Sequence, residues 1–243
     1  MKPSGRRALV TGGSGGIGGA LCRRLAQDGH HVYVHAYRGA AVAEALVAEI
    51  RATGGAASAL NFDITDAHAA RAALEGVLES GPVQILVNNA GVHDDAVLPG
   101  MSAAQWQRVI DVSVNGFFNA TQPLLLPMIR TRWGRIVNIS SIAALIGNKG
   151  QVNYAAAKGA LISATKALAL EVATRGITVN AVAPGIIGTP MTSGLFDAAS
   201  IAKLVPMNRA GLPEEVAAVV AFLASEAASY VTAQVVAVSG GMA

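Results

Sequence analysis

Several features are scarce in this 243-residue chain, and each scarcity excludes a class of protein. There is one cysteine, Cys22, so no disulfide can form within the chain, and a small core residue on a helix is the favoured interpretation of it over a nucleophile. No apolar run reaches about 18 residues, so we expect neither a transmembrane helix nor a membrane partner. Residues 1–7 are polar, which predicts no signal peptide and a cytoplasmic location.

Charged residues are also few, at 14%, whereas 52% of the residues are hydrophobic. This composition supports a sizeable core and excludes a disordered chain. The net charge of +3 is too weak to indicate a nucleic-acid partner, although it is compatible with an anionic cofactor or an acidic protein partner. No internal repeat, linker or charge run marks a domain boundary, and no metal site is predicted. One domain is therefore expected.

What the chain has is an alternation of short β-branched runs with longer alanine-rich stretches. Strands are predicted at 8–10, 32–35, 57–62, 85–88, 136–140, 178–182 and 235–238, and helices at 18–28, 40–53, 67–80, 151–175 and 213–224. Such alternation predicts an α/β domain with a parallel sheet that is covered by helices on both faces. The irregular segment 188–205, with its apolar pair Leu195-Phe196, is interpreted as a substrate lid or as an ordinary pair of surface helices.

A glycine-rich turn, TGGSGGIG at 11–18, follows the first strand and opens the first helix. Glycines allow a tight turn and a close approach to a pyrophosphate, and the helix N-terminus offers free N–H groups. The position after the first strand makes a dinucleotide cradle the favoured interpretation. The predicted cofactor contacts in this loop are Gly12, Ser14, Gly15, Gly16, Ile17 and Gly18.

The ends of later strands predict further cofactor contacts. At the end of the second strand, Ala36 stands where an NAD enzyme usually carries an acid, and Arg38 follows, so NADPH is favoured; otherwise Arg38 is a solvated surface residue. Asp63 and Ile64 are expected at the adenine, although Asp63, Thr65 or Asp66 can equally cap the next helix. The run NNAG at 88–91 places two polar residues before two small ones and is expected to tie strands together. Its residues Asn89, Ala90 and Gly91 are also expected to border the cofactor.

Tyr154 and Lys158 are spaced i, i+4 in a predicted helix and therefore share one face. A neighbouring ammonium is expected to lower the tyrosine pKa, as a proton donor near neutral pH requires. Ser141 ends the fifth predicted strand, where its hydroxyl can hold a substrate carbonyl oxygen. A Tyr-x-x-x-Lys pair alone is common on helix surfaces, but together with Ser141 and the glycine-rich turn it predicts a catalytic site.

These residues resemble the short-chain dehydrogenase/reductase family over the whole chain. The matching positions are Thr11-Gly12, Gly16, Gly18, the run NNAG at 88–91, Ser141, the run YAAAK at 154–158 and Pro184-Gly185. The resemblance implies a single-domain, seven-stranded Rossmann fold and hydride transfer with a nicotinamide cofactor. It also implies that Tyr154 is the general acid, that Ser141 orients the carbonyl and that Lys158 binds the nicotinamide ribose. Pro184, Gly185, Ile187 and Thr189 match the segment that holds the nicotinamide.

Within the family, the stretch 147–154 is similar to the 3-oxoacyl-[acyl-carrier-protein] reductases of fatty acid biosynthesis, as are RGITVN at 175–180 and the closing Gly240-Gly241. This similarity implies an acyl thioester substrate, contacted by Ser141, Gln151 and Tyr154. Arg132 and Arg175 match positions that dock an acidic acyl carrier protein; the alternative is that both serve solubility. The family also implies a homotetramer, with the helix of Tyr154 at one interface and the C-terminal strand at another.

Two positions depart from the family pattern. Gly15 stands where the cofactor loop often carries arginine or lysine. The fourth catalytic residue of the family, an asparagine on the helix before the fifth strand, falls on Ser113 and not on Asn115. Ser113 therefore joins Ser141, Tyr154 and Lys158 as a candidate catalytic residue.

The leading hypothesis is NADPH-dependent reduction of a 3-oxoacyl thioester, on acyl carrier protein or on CoA, to the 3-hydroxyacyl thioester. The first alternative is a reductase or dehydrogenase of an unrelated ketone or alcohol, since this scaffold accepts many substrates. The second alternative, raised by Ser113, is a cofactor-binding protein with little turnover.

Overall fold

The structure is a computed structural model that describes residues 5–190, 192, 194 and 197–243. Within these residues, seven strands form one sheet in which every pair is parallel, in the order β3-β2-β1-β4-β5-β6-β7. The strands are β1 (Arg7–Val10), β2 (His31–Ala36), β3 (Ala56–Asn61), β4 (Ile85–Asn88), β5 (Gly134–Ile139), β6 (Ile177–Pro184) and β7 (Val235–Val238). The predicted α/β fold with a seven-stranded parallel sheet is confirmed.

Helices connect the strands. They are α1 (Gly16–Gln27), α2 (Ala40–Ala52), α3 (Ala67–Glu79), α4 (Ala103–Ile110), α5 (Gly116–Thr131), α6 (Ala143–Ile146), α7 (Val152–Val172), α8 (Ala198–Leu204) and α9 (Pro213–Ala224). A π-helical turn (Asp111–Asn115) joins α4 to α5, and short 3-10 turns include Ala173–Arg175, which ends the predicted helix 151–175. The helices cover both faces of the sheet.

Two hydrophobic cores lie on opposite faces of the sheet. One contains buried residues of α1, α2 and α9, including the fully buried Cys22, and the other contains buried residues of α3, α5 and α7. Successive strand residues alternate between them, so that Ala8 and Val10 join the first core while Leu9 joins the second. This is why the strands read as continuous apolar runs.

The strand order reverses between β1 and β4, and ligands of such sheets bind in the crevice at the carboxyl ends of the strands on either side of that point. The glycine-rich turn and the segments after β4, β5 and β6 all lie at this end of the sheet. The fold therefore collects most of the predicted site residues, although they are far apart in sequence.

Three helices, α4, α5 and α6, were not predicted from the sequence patterns, whereas α8 lies in the segment 188–205, for which a pair of surface helices was one of two interpretations. Helix α5 contains Pro123 and Pro127, and prolines argue against a helix interior when the sequence is read alone. Burial of Leu124 and Met128 in the second core compensates for the lost backbone bonds. In the segment 188–205, α8 is described, whereas the apolar pair Leu195-Phe196 lies outside the described residues.

The described residues lack two features. No helix among them is long and apolar enough to cross a membrane. In the same part of the chain, no group of three or more His, Cys, Asp or Glu side chains is arranged to hold a metal ion.

Candidate active site

The glycine-rich turn wraps back on itself at the start of α1. Gly12 has φ +64°, a conformation that L side chains rarely adopt. A Cβ at Gly18 would lie 2.2 Å from the Gly12 carbonyl oxygen, so this position also requires glycine. Gly15 differs, because its φ of −77° suits any residue and a Cβ there would meet nothing closer than 3.4 Å. The turn and the N-terminus of α1 are built to hold an anionic group such as a pyrophosphate.

The segment after β4 holds this turn in place. The Asn89 side-chain amide donates hydrogen bonds to the carbonyl oxygens of Thr11 and Gly12, both at 3.0 Å. The hydroxyl of Thr11 in turn accepts hydrogen bonds from the backbone N–H groups of Asn89 and Ala90. Asn88 ties two strands together, as expected, because its buried amide on β4 donates a hydrogen bond to the Asn138 side chain on β5 at 2.9 Å.

A cavity of about 330 Å³ opens at this edge of the sheet, within the size range of small-molecule sites. Most of the predicted site residues line it, and Ile139, Ser140 and Thr192 were not predicted. The lining residues are Gly12, Ser14, Gly15, Gly16, Ile17, Gly18, Asn89, Ala90, Gly91, Ile139, Ser140, Ser141, Tyr154, Lys158, Pro184, Gly185, Ile187, Thr189 and Thr192.

The cavity residues fit a nicotinamide dinucleotide. One end is the glycine cradle, where side chains at positions 16 and 18 would clash with neighbours at 2.9 Å or less. At the other end a Cβ on Gly91 would meet the Lys158 Nζ at 3.0 Å, so Gly91 leaves room for the lysine to reach the cavity. A cradle for phosphates and a cation near the reacting groups are what such a cofactor requires.

The three residues predicted to carry the chemistry meet in this cavity. Ser141 follows β5, whereas Tyr154 and Lys158 lie one turn apart at the start of α7. The Ser141 hydroxyl accepts a hydrogen bond from the Ala143 N–H at 3.2 Å, and it lies near enough to the Tyr154 phenol to lower the pKa of that phenol in part. Ser140, beside them, donates a hydrogen bond at 2.8 Å to the backbone carbonyl of Lys158 and so fixes α7 against the end of β5.

The acidity of Tyr154 differs from the sequence-based prediction. Burial raises the pKa of the Tyr154 phenol, and the charge of Asp95 raises it further, while the nearby Ser141 hydroxyl lowers it in part. The predicted net lowering of the Tyr154 pKa is therefore wrong, because burial outweighs the lowering effect of Ser141. Asp95 is a residue of the site region that sequence reasoning missed, since nothing in its motif distinguishes it from a loop carboxylate.

Lys158 is buried as well, with 3% of its surface exposed. Burial lowers the pKa of Lys158 to about 8, because desolvation disfavours the ammonium form. The Nζ atom donates a hydrogen bond to the Ile139 carbonyl oxygen at 2.9 Å. Lys158 is thus placed to titrate close to neutral pH.

Five of the predicted catalytic, cofactor and substrate residues do not line the cavity: Arg38, Asp63, Ile64, Ser113 and Gln151. Arg38 is exposed in the turn after β2. This turn contacts the glycine loop, because a Cβ on Gly39 would lie 2.7 Å from the Ser14 hydroxyl oxygen. Ile64 is buried in the second core. Their assignment as cofactor or substrate contacts remains a prediction.

The alternatives for capping α3 are resolved by the structure. The carboxylate of Asp66 accepts hydrogen bonds from the N–H groups of His68 and Ala69 and is the N-cap. Asp63 instead accepts two hydrogen bonds from Thr65, one from its N–H at 2.9 Å and one from its hydroxyl at 2.8 Å. Asp63 therefore shapes the turn after β3.

Ser113 is buried in the π-helical turn, which packs against α7, and its hydroxyl oxygen has no hydrogen-bond partner among the described residues. Asn115 is exposed, and its amide donates to the Asp111 carboxylate at 2.6 Å. The two side chains thus point to different environments, as their spacing predicts. A buried hydroxyl without a protein partner is suited to hold a water.

Gln151 joins the loop after β4 to the start of α7. Its amide nitrogen donates to the Asp95 carboxylate at 2.9 Å, and its amide oxygen accepts from Asn148. The other oxygen of Asp95 lies 3.3 Å from the His93 ring nitrogen. This polar group lies beside Tyr154 without lining the cavity.

Arg132 and Arg175 are brought together on the surface, at the opposite end of the sheet. The Arg132 guanidinium donates to the Thr174 carbonyl oxygen at 3.1 Å, and a Cβ on Gly176 would lie 2.3 Å from the Arg132 carbonyl oxygen. Arg132 lies just before β5 and Arg175 just before β6, so both arginines are at the amino ends of these strands. The cavity lies at the carboxyl ends of the same strands. At about 3.3 Å per residue, the six residues of β5 separate the pair from the cavity by roughly 20 Å.

Known proteins resemble this chain in sequence over nearly its whole length. The model of the short chain dehydrogenase family matches residues 6–200. The chain is 45% identical to a 3-oxoacyl-[acyl-carrier-protein] reductase of Aggregatibacter actinomycetemcomitans, over 96% of this chain and 98% of that protein. It is 44% identical to a 3-oxoacyl-[acyl-carrier-protein] reductase of Synechocystis sp., over 97% and 96% of the two chains.

A solved structure agrees with these sequence matches. The crystal structure of a proposed gluconate dehydrogenase from Agrobacterium tumefaciens superposes with a TM-score of 0.95 and 34% identity, covering 98% of this chain and 96% of that one. With its Rossmann sheet, its glycine cradle and its serine, tyrosine and lysine in one cavity, the chain is an oxidoreductase of the nicotinamide-dependent type. It belongs to the short-chain dehydrogenase family.

Proposed function

We propose that this protein reduces a 3-oxoacyl thioester, carried by acyl carrier protein or by CoA, to the 3-hydroxyacyl thioester with NADPH. The observation that carries the proposal is the meeting of Ser141, Tyr154 and Lys158 in a cavity that begins at the glycine cradle. The similarity to two 3-oxoacyl-[acyl-carrier-protein] reductases over nearly the whole chain supports this substrate class.

Each residue has a distinct role in the proposed reaction. When bound, the reduced nicotinamide supplies a hydride to the ketone carbon. Ser141 and Tyr154, which line the same cavity, donate hydrogen bonds to the ketone oxygen, and Tyr154 gives up its proton as that oxygen becomes an alcohol. The ammonium of Lys158 stabilises the phenolate that remains. Gln151, which lies outside the cavity lining, is a proposed substrate contact.

The proposed preference for NADPH rests on the end of β2. Residues 35–38 contain no acid to bind a ribose hydroxyl, and Arg38 is exposed in the turn that contacts the glycine loop. A guanidinium there can pair with a 2′-phosphate. Asp63 and Ile64, which follow β3, are proposed neighbours of the adenine.

The proposal extends to the partner and the assembly. The exposed Arg132 and Arg175 form one basic site for an acidic carrier protein, in a homotetramer whose interfaces involve α7 and β7. Residues 188–205 form the substrate lid of a single domain, and Thr189 and Thr192 of this segment line the cavity.

A second candidate function is supported by the superposed structure, a proposed dehydrogenase of another substrate, gluconate. Nothing in the serine, tyrosine and lysine arrangement distinguishes one carbonyl substrate from another, because Ser141 and Tyr154 contact only the reacting oxygen of the substrate and Lys158 acts on the tyrosine. The candidate is therefore oxidation or reduction of an unrelated alcohol or ketone at the same site.

Steady-state NADPH oxidation separates these functions. Rapid turnover with acetoacetyl-CoA supports thioester reduction, turnover with other ketones alone supports the second candidate, and cofactor binding without turnover would show a binding protein. The matched control is Tyr154→Phe, which loses one hydroxyl and should reduce turnover at least about 100-fold while NADPH still binds. Near-normal turnover by that variant would remove Tyr154 from the mechanism.

A further inference from the structure

His35, the fifth residue of β2, contacts the glycine cradle directly. The Gly12 N–H donates a hydrogen bond to the His35 Nδ1 at 3.1 Å, and the His35 Nε2 lies 3.1 Å from the Phe62 carbonyl oxygen. The side chain is buried, with 2% of the residue exposed, and its ring packs against the Phe62 ring at 4.2 Å between centroids. The backbone carbonyl of His35 also accepts a bond from the Gly13 N–H at 2.7 Å.

These partners define the protonation state of the ring. A backbone N–H can only donate, so the Nδ1 that faces Gly12 must be an unprotonated acceptor. A carbonyl oxygen can only accept, so the Nε2 that faces Phe62 must carry the proton. The two hydrogen bonds together select the neutral Nε2–H tautomer, because the cation would place an N–H of the ring against the N–H of Gly12.

We propose that His35 is a positioning residue for the cofactor: as the neutral tautomer it holds Gly12, and with it the glycine loop, in the shape that receives the pyrophosphate. The inference rests on the proposed use of the cavity as a nicotinamide-dinucleotide site. Gly12 has φ +64° and borders the cavity, so a loop that loses this bond loses part of its preorganisation. Cofactor affinity is then expected to fall when the ring takes up a second proton.

The surroundings of His35 determine the pH at which this happens. Burial lowers the pKa of His35 to about 4, while the hydrogen bond to the Phe62 carbonyl and the charge of Asp63 act in the opposite direction. On the side of the glycine loop, the His35 ring contacts the backbone of Gly12, which carries no charge. The bond to Gly12 is therefore intact at neutral pH and is lost as the pH falls towards about 4.

The test compares three variants of the full-length protein by titration calorimetry with NADP+ at pH 7. His35→Leu removes the acceptor, His35→Asn keeps an acceptor near the position of Nδ1, and His31→Leu is the same change on the same strand, where the ring contacts Ser58 and not the loop. We expect His35→Leu to raise the Kd about tenfold and to leave kcat at saturating cofactor within about twofold. The Asn variant should bind within about threefold of the unaltered protein, and the His31 variant should be unchanged.

A pH series on the unaltered protein and His35→Asn provides a second readout, which holds even if His35→Leu does not fold. The 2′-phosphate of the ligand titrates equally with both proteins, so the difference between their curves reports the ring alone. We expect the unaltered protein to lose affinity more steeply below pH 5. Parallel curves, or a folded His35→Leu that binds normally, would overturn the inference. If the unaltered protein itself does not bind NADP+ at pH 7, the proposed function fails instead.

Discussion

The Nζ atom of Lys158 lies 5.7 Å from the centroid of the Tyr154 ring, and its hydrogen bond goes to the Ile139 carbonyl oxygen. The Lys158 ammonium is therefore hydrogen-bonded to the end of β5 and not to the Tyr154 hydroxyl. Since burial lowers the pKa of Lys158 to about 8 and raises the pKa of the Tyr154 phenol, the lysine is the first of the two to lose its proton as the pH rises.

This order predicts the pH dependence of reduction. Below pH about 8 Lys158 is protonated and, in the proposed reaction, stabilises the phenolate that proton transfer leaves. Above pH about 8 the lysine loses its charge and with it this effect. We expect kcat/KM for ketone reduction to fall as the pH rises above about 8, in a profile measured from pH 6 to 10. Lys166→Met, on an exposed lysine of the same helix, should leave the profile unchanged. A flat profile through pH 9.5 contradicts the assignment.

The cofactor preference should respond to charge at two positions in opposite directions. Arg38→Asp replaces attraction to the 2′-phosphate with repulsion and should reverse or erase the preference for NADPH over NADH. Gly15→Arg, at a position with room for a side chain, should strengthen it. The measurement is the ratio of kcat/KM values for the two cofactors, and Arg130→Asp controls for net charge. Equal efficiency of the unaltered protein with both cofactors would refute the preference.

The surface arginines predict a selective effect on carrier-bound substrate. Arg132→Glu together with Arg175→Glu should lower kcat/KM on an acyl carrier protein substrate by at least about tenfold, and the loss should shrink as salt screens the charges. A small CoA thioester should be reduced as before, because the pair lies at the end of the sheet away from the cavity. The charge-matched control is Arg24→Glu together with Arg71→Glu. Equal losses on both substrates would exclude docking at this pair.

Ser113 stands where the family carries an asparagine, and we expect this position to tolerate either residue. If Ser113 acts through a bound water, Ser113→Asn, which restores the family residue, should change turnover less than about tenfold. Asn115→Ala removes one exposed bond to Asp111 and should cost about 1 kcal/mol of unfolding free energy with little change in turnover. Turnover under saturating NADPH and thermal unfolding of all three proteins test this. A folded, cofactor-binding Asn115→Ala without activity would show that the catalytic position is misplaced.

Much of the fold could be predicted from the sequence because its signals are local. β1 and β4 are near-continuous apolar runs, and the turn chemistry of the glycine-rich loop follows β1 directly. The i, i+4 spacing of Tyr154 and Lys158 requires no tertiary information. The predicted helices were found with ends shifted by three residues or fewer, whereas α5 was missed because its prolines conceal a helix that packing in the second core stabilises.

By itself, the sequence determined the strand–helix alternation, the glycine cradle and the types of residue that carry the chemistry, since each depends on neighbours along the chain. The tertiary structure alone decided that burial raises the pKa of the Tyr154 phenol, that Asp95 acts on it and that His35 holds Gly12. It also placed Arg132 and Arg175 together, away from the cavity. Desolvation and hydrogen bonds between distant segments depend on which parts of the chain meet, and no local pattern records that.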